Sequence, residues 1–158
     1  MIVYKRQSLF DAPEGAYLVH ACNTAGVWGS GIATEFKKRF PHAFAVYERS
    51  CQGNSRFALG QFWAIYDNKY NVTCLLVSMG YGRSLDAKES ILENTKIALD
   101  RLVKYALDNK IKQIHSNKFN SGFFRVPWPE TEAILVECLK DSDIEWVICD
   151  PELTVGEQ

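Results

Sequence analysis

Short apolar segments that predict strands alternate with amphipathic segments that predict helices along nearly the whole chain. The clearest strand, at residues 16–22, is apolar almost throughout, as expected for a strand covered by helices on both faces. The clearest helix, at residues 87–108, has an apolar stripe at helical spacing and acidic residues in its first half. This alternation predicts an α/β domain of three layers, α/β/α, with a central mixed sheet.

The remaining segments complete this pattern in a chain whose 158 residues suit a single domain. Further helices are predicted at residues 32–40, 43–51 and 128–139, and further strands at residues 2–4, 61–66, 72–78, 112–116 and 144–149. The turn residues 67–69 join two of these strands into a hairpin. We expect one domain over residues 1–158, with residues 150–158 as its C-terminal tail.

The composition excludes several classes of function. Hydrophobic residues make up 47% and charged residues 23%, as in an ordinary globular protein. The net charge is −1 and no basic stripe is visible, so the chain lacks the electrostatic footprint of a protein that binds duplex DNA or RNA. No segment approaches the ~20 apolar residues that span a bilayer, and residues 1–10 do not resemble a signal peptide. We expect a monomer that contacts no membrane.

The five cysteines point to a reducing compartment. They are scattered, and none belongs to a CxxC motif or to a Cys/His spacing typical of metal ligands. Cys22, Cys74 and Cys149 lie in apolar strand segments, where a reduced cysteine acts as a small hydrophobic residue. We therefore expect a cytoplasmic protein with no metal site and no cofactor.

A glycine-rich loop at residues 20–31 leads from a strand end directly into a helix. Gly26, Gly29 and Gly31 allow the backbone to approach a ligand closely, and the helix N-terminus adds unpaired N–H groups. This combination is typical of anion binding. The loop is not a P-loop, because the chain has no Gly-Lys pair, and Thr34 stands where a dinucleotide-binding loop requires its third glycine.

A second loop, at residues 117–128, also connects a strand to a helix. Ser121 and Gly122 can present consecutive N–H groups, while Phe123 and Phe124 supply an apolar or stacking surface. Ligands of such sheets bind outside the carboxyl ends of the strands. If the two strands are neighbours, the two loops form one cleft suited to a diphosphate with a sugar on either side.

The sequence VHACN followed by GVWGSGIA resembles the first signature of the macro domain family, and NSGFFRVPW at residues 120–128 is similar to its second, phosphate-binding loop. The segments SMGYGRS and KESILENTKIALDRL fit the loop and long helix between them. In this order the motifs most resemble the fungal-type ADP-ribose 1″-phosphate phosphatase branch, over about residues 4–149. The resemblance implies the macro domain fold and a metal-independent phosphatase that releases phosphate from ADP-ribose 1″-phosphate to give ADP-ribose.

The resemblance also implies which residues contact the ligand. Asn23 would be a catalytic residue that contacts the ribose beside the reaction centre. The other implied positions are Ser8 and Leu9 near the adenine, Gly29, Ser30, Gly31 and Ile32 at the proximal phosphate and ribose, and Asn120, Ser121, Gly122, Phe123 and Phe124 around the diphosphate.

The chain departs from the family at three of these regions. Ser8 replaces a common aspartate, which loosens the expected selectivity for adenine. Relatives that remove ADP-ribose from proteins use a lysine nucleophile near the position of Met79 and an aspartate at the position of Phe124. Covalent lysine chemistry is therefore not expected here.

His20 is the candidate for proton transfer, because its unperturbed pKa of about 6.5 suits neutral pH. It lies on the same strand face as Cys22, and the phosphatase branch has histidine there where other macro domains have asparagine. Whether His20 is a general base, a general acid or a structural residue stays open. The chain carries no CxxxxxR motif, no complete aspartyl-phosphatase motif after Asp141, and no cluster for two metals.

The other titratable candidates receive structural or surface roles. His42 and His115 are expected to be structural, the Cys22 thiol inert, and neither Arg83 nor Arg125 essential. Three functions therefore remain: the phosphatase, a module that binds ADP-ribose without catalysis, and a hydrolase that removes ADP-ribose from modified macromolecules with bound water.

Overall fold

A six-stranded sheet forms the centre of the computed structural model, which describes residues 1–154. The strand order is β1-β6-β5-β2-β4-β3, and every pair is parallel except the β3–β4 hairpin. The strands are β1 (Ile2–Lys5), β2 (Tyr17–Asn23), β3 (Phe62–Asp67), β4 (Tyr70–Ser78), β5 (Gln113–Ser116) and β6 (Glu145–Cys149). The predicted central mixed sheet is confirmed.

Helices cover both faces of this sheet, as the three-layer prediction requires. They are α1 (Ile32–Arg39), α2 (Pro41–Cys51), α3 (Ser55–Ala58), α4 (Lys88–Asp108) and α5 (Trp128–Leu139). Helices α4 and α5 pack on one face, and α1, α2 and α3 pack on the other. No helix within residues 1–154 is both long enough and apolar enough to cross a membrane.

The side chains of β2 divide between the two layers by the alternation of a strand. Val19 and Ala21 face the core formed with α4 and α5. Leu18 and Cys22 face the core formed with α1 and α2, so His20, which lies between them in the sequence, points into that second layer. This division decides the environment of His20.

The start of the predicted tail is part of the packed domain. Leu153 is only 1% exposed, and the Asp150 carboxylate forms an ion pair with Lys118 at 3.3 Å. The amide of Asp150 also donates to the carbonyl of Lys5, which extends the contact between β6 and β1. Residues 150–153 of the predicted tail therefore pack on the domain, and residues 155–158 lie outside the described residues.

Candidate functional site

A cleft of about 340 Å³ opens at the carboxyl edge of the sheet, where β2 lies between β5 and β4. Its volume is in the range of small-molecule sites. The loop after β2 and the loop after β5 both line it, and the turn after β4 contributes Tyr81 and Gly82. Because β2 and β5 are parallel neighbours, their loops leave the sheet at the same edge.

Asn23, the last residue of β2, shapes the first loop. Its Nδ2 donates to the Val27 carbonyl at 2.8 Å, and its Oδ1 accepts from the amides of Ala25 and Val27 at 3.1 and 3.2 Å. The Tyr47 hydroxyl donates to the Asn23 carbonyl at 2.6 Å and lies 3.0 Å from Oδ1. Asn23 also lines the cleft, and its second Nδ2 hydrogen has no acceptor among residues 1–154.

Gly31 is the residue at which the first loop becomes helix α1. Its φ of 58° and ψ of −142° belong to a region that is open essentially only to glycine. A Cβ built on Gly31 would lie 3.1 Å from the Phe123 ring, so the two loops touch here. The absence of a side chain therefore permits both the turn and the close approach of Phe123.

Asn120 anchors the second loop to the helices behind it. Its φ is 70°, a left-handed conformation that asparagine tolerates better than most residues. The Nδ2 group donates to the Thr95 hydroxyl on α4 at 3.0 Å and to the Thr131 hydroxyl on α5 at 3.3 Å. Asn120 thus has a structural role that the sequence did not reveal, in addition to its predicted contact with the ligand.

Main-chain N–H groups without protein acceptors line both sides of the cleft. Among the described residues, the amides of Gly122, Phe123 and Phe124 in the second loop find no such acceptor, and neither do those of Gly29, Ser30, Gly31 and Ile32 in the first. The amide of Ile32 belongs to the free N-terminus of α1. Unpaired amides on both loops of one cleft are typical of a site for an anionic group.

Comparisons with known proteins agree with this geometry. The model of the Macro domain family matches residues 19–135. The chain belongs to the macro domain family. It is 30% identical to an ADP-ribose 1″-phosphate phosphatase of Aspergillus oryzae, over 90% of each chain, and 36% identical to one of Lodderomyces elongisporus, over 85% of this chain and 90% of that protein. The macrodomain of Mycobacterium tuberculosis DarG shares the fold, with a TM-score of 0.80, 24% identity, and coverage of 96% of this chain and 99% of that one.

Most of the site residues predicted for this macro domain come together in the cleft. Those that line it are Asn23, Gly29, Ser30, Gly31, Ile32, Asn120, Gly122, Phe123 and Phe124. Ser121 is exposed beside the cleft and is not part of its lining. Sequence reasoning missed Tyr81, although the strand before it ends beside β2, and treated Arg125 as a surface residue.

Ser8 and Leu9, which were predicted to lie near the adenine, are not part of the cleft lining. The Ser8 hydroxyl accepts a hydrogen bond from the Phe10 amide at 3.2 Å and caps a short 3₁₀ turn, Leu9–Asp11. Leu9 is 3% exposed and packs in the α1–α2 core. Both side chains are therefore engaged in local structure, and their contact with the ligand stays a prediction.

His20 is buried and is not part of the cleft lining, which favours the structural alternative left open for it, and its role in proton transfer stays a prediction. It is 1% exposed, stacks on Phe36 with ring centres 3.9 Å apart, and meets the edge of Trp28. Burial lowers the pKa of His20 to about 3, so the imidazole is neutral near pH 7 and a weak base. The physical reason is the strand alternation that turns His20 into the α1–α2 layer.

The burial of His20 predicts a loss of stability in acid. In the unfolded chain His20 binds a proton near pH 6.5, whereas in the folded chain it stays neutral down to about pH 3. The stability that the neutral form provides is therefore fully present above pH 6.5 and is lost as the pH falls below it. We expect His20 to contribute a decrease of about 2 kcal/mol in the free energy of unfolding between pH 7 and pH 5. Denaturant titrations at pH 7 and at pH 5, with a chelator in the buffer, would measure this decrease.

His20→Leu should remove most of that pH dependence, because leucine has a similar volume and no proton to bind. His42→Ala is the matched control, since His42 is exposed near the start of α2. An unchanged pH dependence in His20→Leu would contradict the assignment.

Side chains that could transfer protons are scarce in the cleft lining. Arg125 is the only lining residue within residues 1–154 that carries a charge at neutral pH, and no lining residue is a carboxylate or a histidine. Burial raises the pKa of the Cys22 thiol well above its ordinary value, so the thiol is protonated. The arrangement favours binding through the main chain over acid–base catalysis by a side chain.

Proposed function

We propose that this macro domain binds ADP-ribose 1″-phosphate in the cleft and hydrolyses it to ADP-ribose and inorganic phosphate. The observation that carries the proposal is the set of amides without acceptors in the loops after β2 and β5, both of which line the cleft. The names of the relatives, ADP-ribose 1″-phosphate phosphatases over most of the chain, supply the substrate. A binding module without catalysis and a hydrolase acting on ADP-ribosylated macromolecules are the alternatives.

In the proposed binding mode the diphosphate lies between the two loops. The amides of Gly122, Phe123 and Phe124 hold it from one side, and the amides of Gly29, Ser30, Gly31 and Ile32 hold the proximal phosphate and the adjoining ribose. The free Nδ2 hydrogen of Asn23 donates to a ribose hydroxyl. The Phe123 ring, which is 63% exposed and touches Gly31, closes over the bound diphosphate.

The proposed chemistry rests on positioning and charge stabilisation, which supply most of the catalysis in phosphoryl transfer. A water oxygen attacks the terminal phosphorus, and the bond between this phosphorus and the 1″ oxygen breaks. The proton of the attacking water passes through the phosphate to the leaving oxygen, which becomes the 1″ hydroxyl of ADP-ribose. Main-chain amides stabilise the charge on the transferring group, so no side-chain nucleophile is required.

Three measurements distinguish the proposed function from its alternatives. We expect phosphate release from ADP-ribose 1″-phosphate and calorimetric binding of ADP-ribose by the wild-type chain. Binding without phosphate release would support the non-catalytic module. Release of ADP-ribose from a modified protein, with the phosphate ester left intact, would support the hydrolase, and no heat with millimolar ADP-ribose would contradict all three.

Arg125 provides a prediction about the affinity for the phosphorylated ligand. As the single charged residue that lines the cleft in the described part of the chain, it attracts a ligand with several negative charges. We expect Arg125→Gln to weaken binding of ADP-ribose 1″-phosphate about fivefold at low salt, and less at high salt because exposed charges are screened. Calorimetry at two salt concentrations measures this.

Arg83→Gln is the matched control for Arg125→Gln, because it removes the same charge from an exposed residue outside the cleft lining. Its affinity should equal that of the wild type. Equal losses in the two variants would show that only the net charge of the protein matters.

We also propose a single-domain monomer in the cytoplasm. The five cysteines carry free thiols, and four of them are buried in the domain, which suits a reducing compartment. Light scattering in solution tests the monomer, and fractionation of cells tests the compartment.

A further inference from the structure

The central strands bring His20, Cys22 and Cys74 together on one face of the sheet. His20 and Cys22 are two residues apart on β2, so their side chains leave the strand on the same side. The parallel register pairs His20 with Cys74 on β4, which places the third side chain beside the first. A motif search along the chain cannot find this group, because strand pairing joins residues that are 54 positions apart.

The spacing of the three donor atoms fits one metal ion. Sγ of Cys22 lies 3.4 Å from Nε2 of His20, and the ligand atoms of all three side chains lie within 4.8 Å of one another. Metal–ligand distances of about 2.3 Å for sulfur and about 2.0 Å for nitrogen imply tetrahedral N···S and S···S separations of about 3.5 to 3.8 Å. Small side-chain rotations therefore suffice to bring the donors to coordinating distance.

Ordinary core packing explains the cysteines but not the histidine. A buried thiol behaves as a small hydrophobic residue. The imidazole, however, is 1% exposed between Phe36 and Trp28, and among the described residues the polar contacts of its nitrogens are to the Cys22 sulfur. A buried polar group needs a strong partner to offset its lost hydration. A metal ion would be such a partner.

Trp28 is a second, independent indication of a ligand at this place. Its indole Nε1 is buried and has no hydrogen-bond acceptor within residues 1–154, and the neighbouring group is the Cys22 thiol. An N–H beside a sulfur would stabilise a thiolate, as outer-shell donors do in metal sites. Cys22 and Trp28 also belong to the cleft lining, so the group of His20, Cys22 and Cys74 borders the cleft.

We propose that His20, Cys22 and Cys74 bind a divalent thiophilic ion of the Zn²⁺ class beneath the cleft. Two thiolates and a neutral imidazole cancel the charge of a divalent ion, so the complex adds no net charge to an apolar layer, whereas a monovalent ion would leave one negative charge unbalanced. Binding releases the two thiol protons to solvent and changes no oxidation state. The ion cross-links β2 and β4 and fixes the strand that leads into the first loop.

Cobalt(II) is the spectroscopic probe for this site. The full-length chain is treated with a chelator under a thiol-free reductant and titrated with Co²⁺. We expect one equivalent to produce a thiolate-to-cobalt charge-transfer band, and Zn²⁺ to displace the cobalt. A wild-type chain that develops no thiolate–cobalt band would overturn the proposal.

Variants assign the ligands. Cys22→Ser and Cys74→Ser should lose the charge-transfer intensity and bind Zn²⁺ at least about 100-fold more weakly, since loss of an outer-shell partner alone costs 10–100-fold. Cys149→Ser is the matched control, because Cys149 is a buried strand cysteine of the same layer outside the group, and it should bind as the wild type does.

Circular dichroism establishes that each variant is folded, and Cys74→Ala replaces Cys74→Ser if the serine does not fold. Wild-type Zn²⁺ affinity in a folded Cys74 variant would overturn the assignment. None of these measurements uses a nucleotide ligand. Their failure would leave the proposed phosphatase untouched, and a failed phosphatase assay would leave the metal site untouched.

Discussion

Replacing Gly31 with valine is expected to weaken ADP-ribose binding at least about 100-fold, or about 3 kcal/mol. A β-branched residue at the φ of 58° found here is strained, and its Cβ would meet the Phe123 ring at 3.1 Å. The side chain would also project where the proposed diphosphate approaches the amides of the first loop. Calorimetry with ADP-ribose measures the loss of affinity. This prediction rests on the proposed binding mode.

Gly53→Val separates the loss of binding from the cost of backbone strain. Gly53 also has a positive φ, of 74°, but a Cβ there meets nothing within 4 Å and the residue is not part of the cleft lining. We expect Gly53→Val to lower the free energy of unfolding about as much as Gly31→Val does. Its affinity for ADP-ribose should stay within about twofold of the wild type. A folded Gly31→Val protein that binds ADP-ribose normally would refute the proposed place of the diphosphate, and Gly31→Ala offers a milder variant if valine prevents folding.

Asn120→Ala is expected to lower the free energy of unfolding by about 3 kcal/mol. Two side-chain hydrogen bonds, to Thr95 and Thr131, contribute about 1 kcal/mol each, and alanine at a φ of 70° costs about 1 kcal/mol more. Chemical denaturation with an unchanged m-value measures this loss. ADP-ribose binding should weaken as well, because the second loop loses its anchors on α4 and α5.

Two further variants divide that loss into its parts. Asn120→Gly keeps the left-handed conformation without strain, so it should be about 1 kcal/mol more stable than Asn120→Ala. Asn68→Ala, in the β3–β4 turn at a φ of 45°, should show the cost of strain alone, because the Asn68 side chain makes no hydrogen bond within residues 1–154. Equal losses in Asn120→Ala and Asn68→Ala would mean that the bonds to the threonines do not stabilise the loop.

Local sequence patterns predicted nearly every element of this fold. The hairpin of β3 and β4 and helix α5 lie where hydrophobic periodicity and turn residues placed them, with bounds that agree within a few residues. Helix α3 was not predicted, since its four residues, Ser55–Ala58, are too few to display a helical period. Leu153 was assigned to a tail because its burial depends on distant parts of the chain.

Gly31 and the loop after β5 could be predicted from the sequence as parts of the cleft because the features that indicate it, glycine and consecutive amides, are local. The burial of His20 could not be predicted in this way. The alternation of side chains along β2 places His20 and Cys22 on the same face of the strand. Only the packing of Phe36 and Trp28 against that face determines that it is closed to solvent. The same long-range pairing that buries His20 brings Cys74 to it. Secondary structure and loop chemistry follow from neighbours in the sequence, whereas solvent access and the grouping of side chains follow from which strands pair.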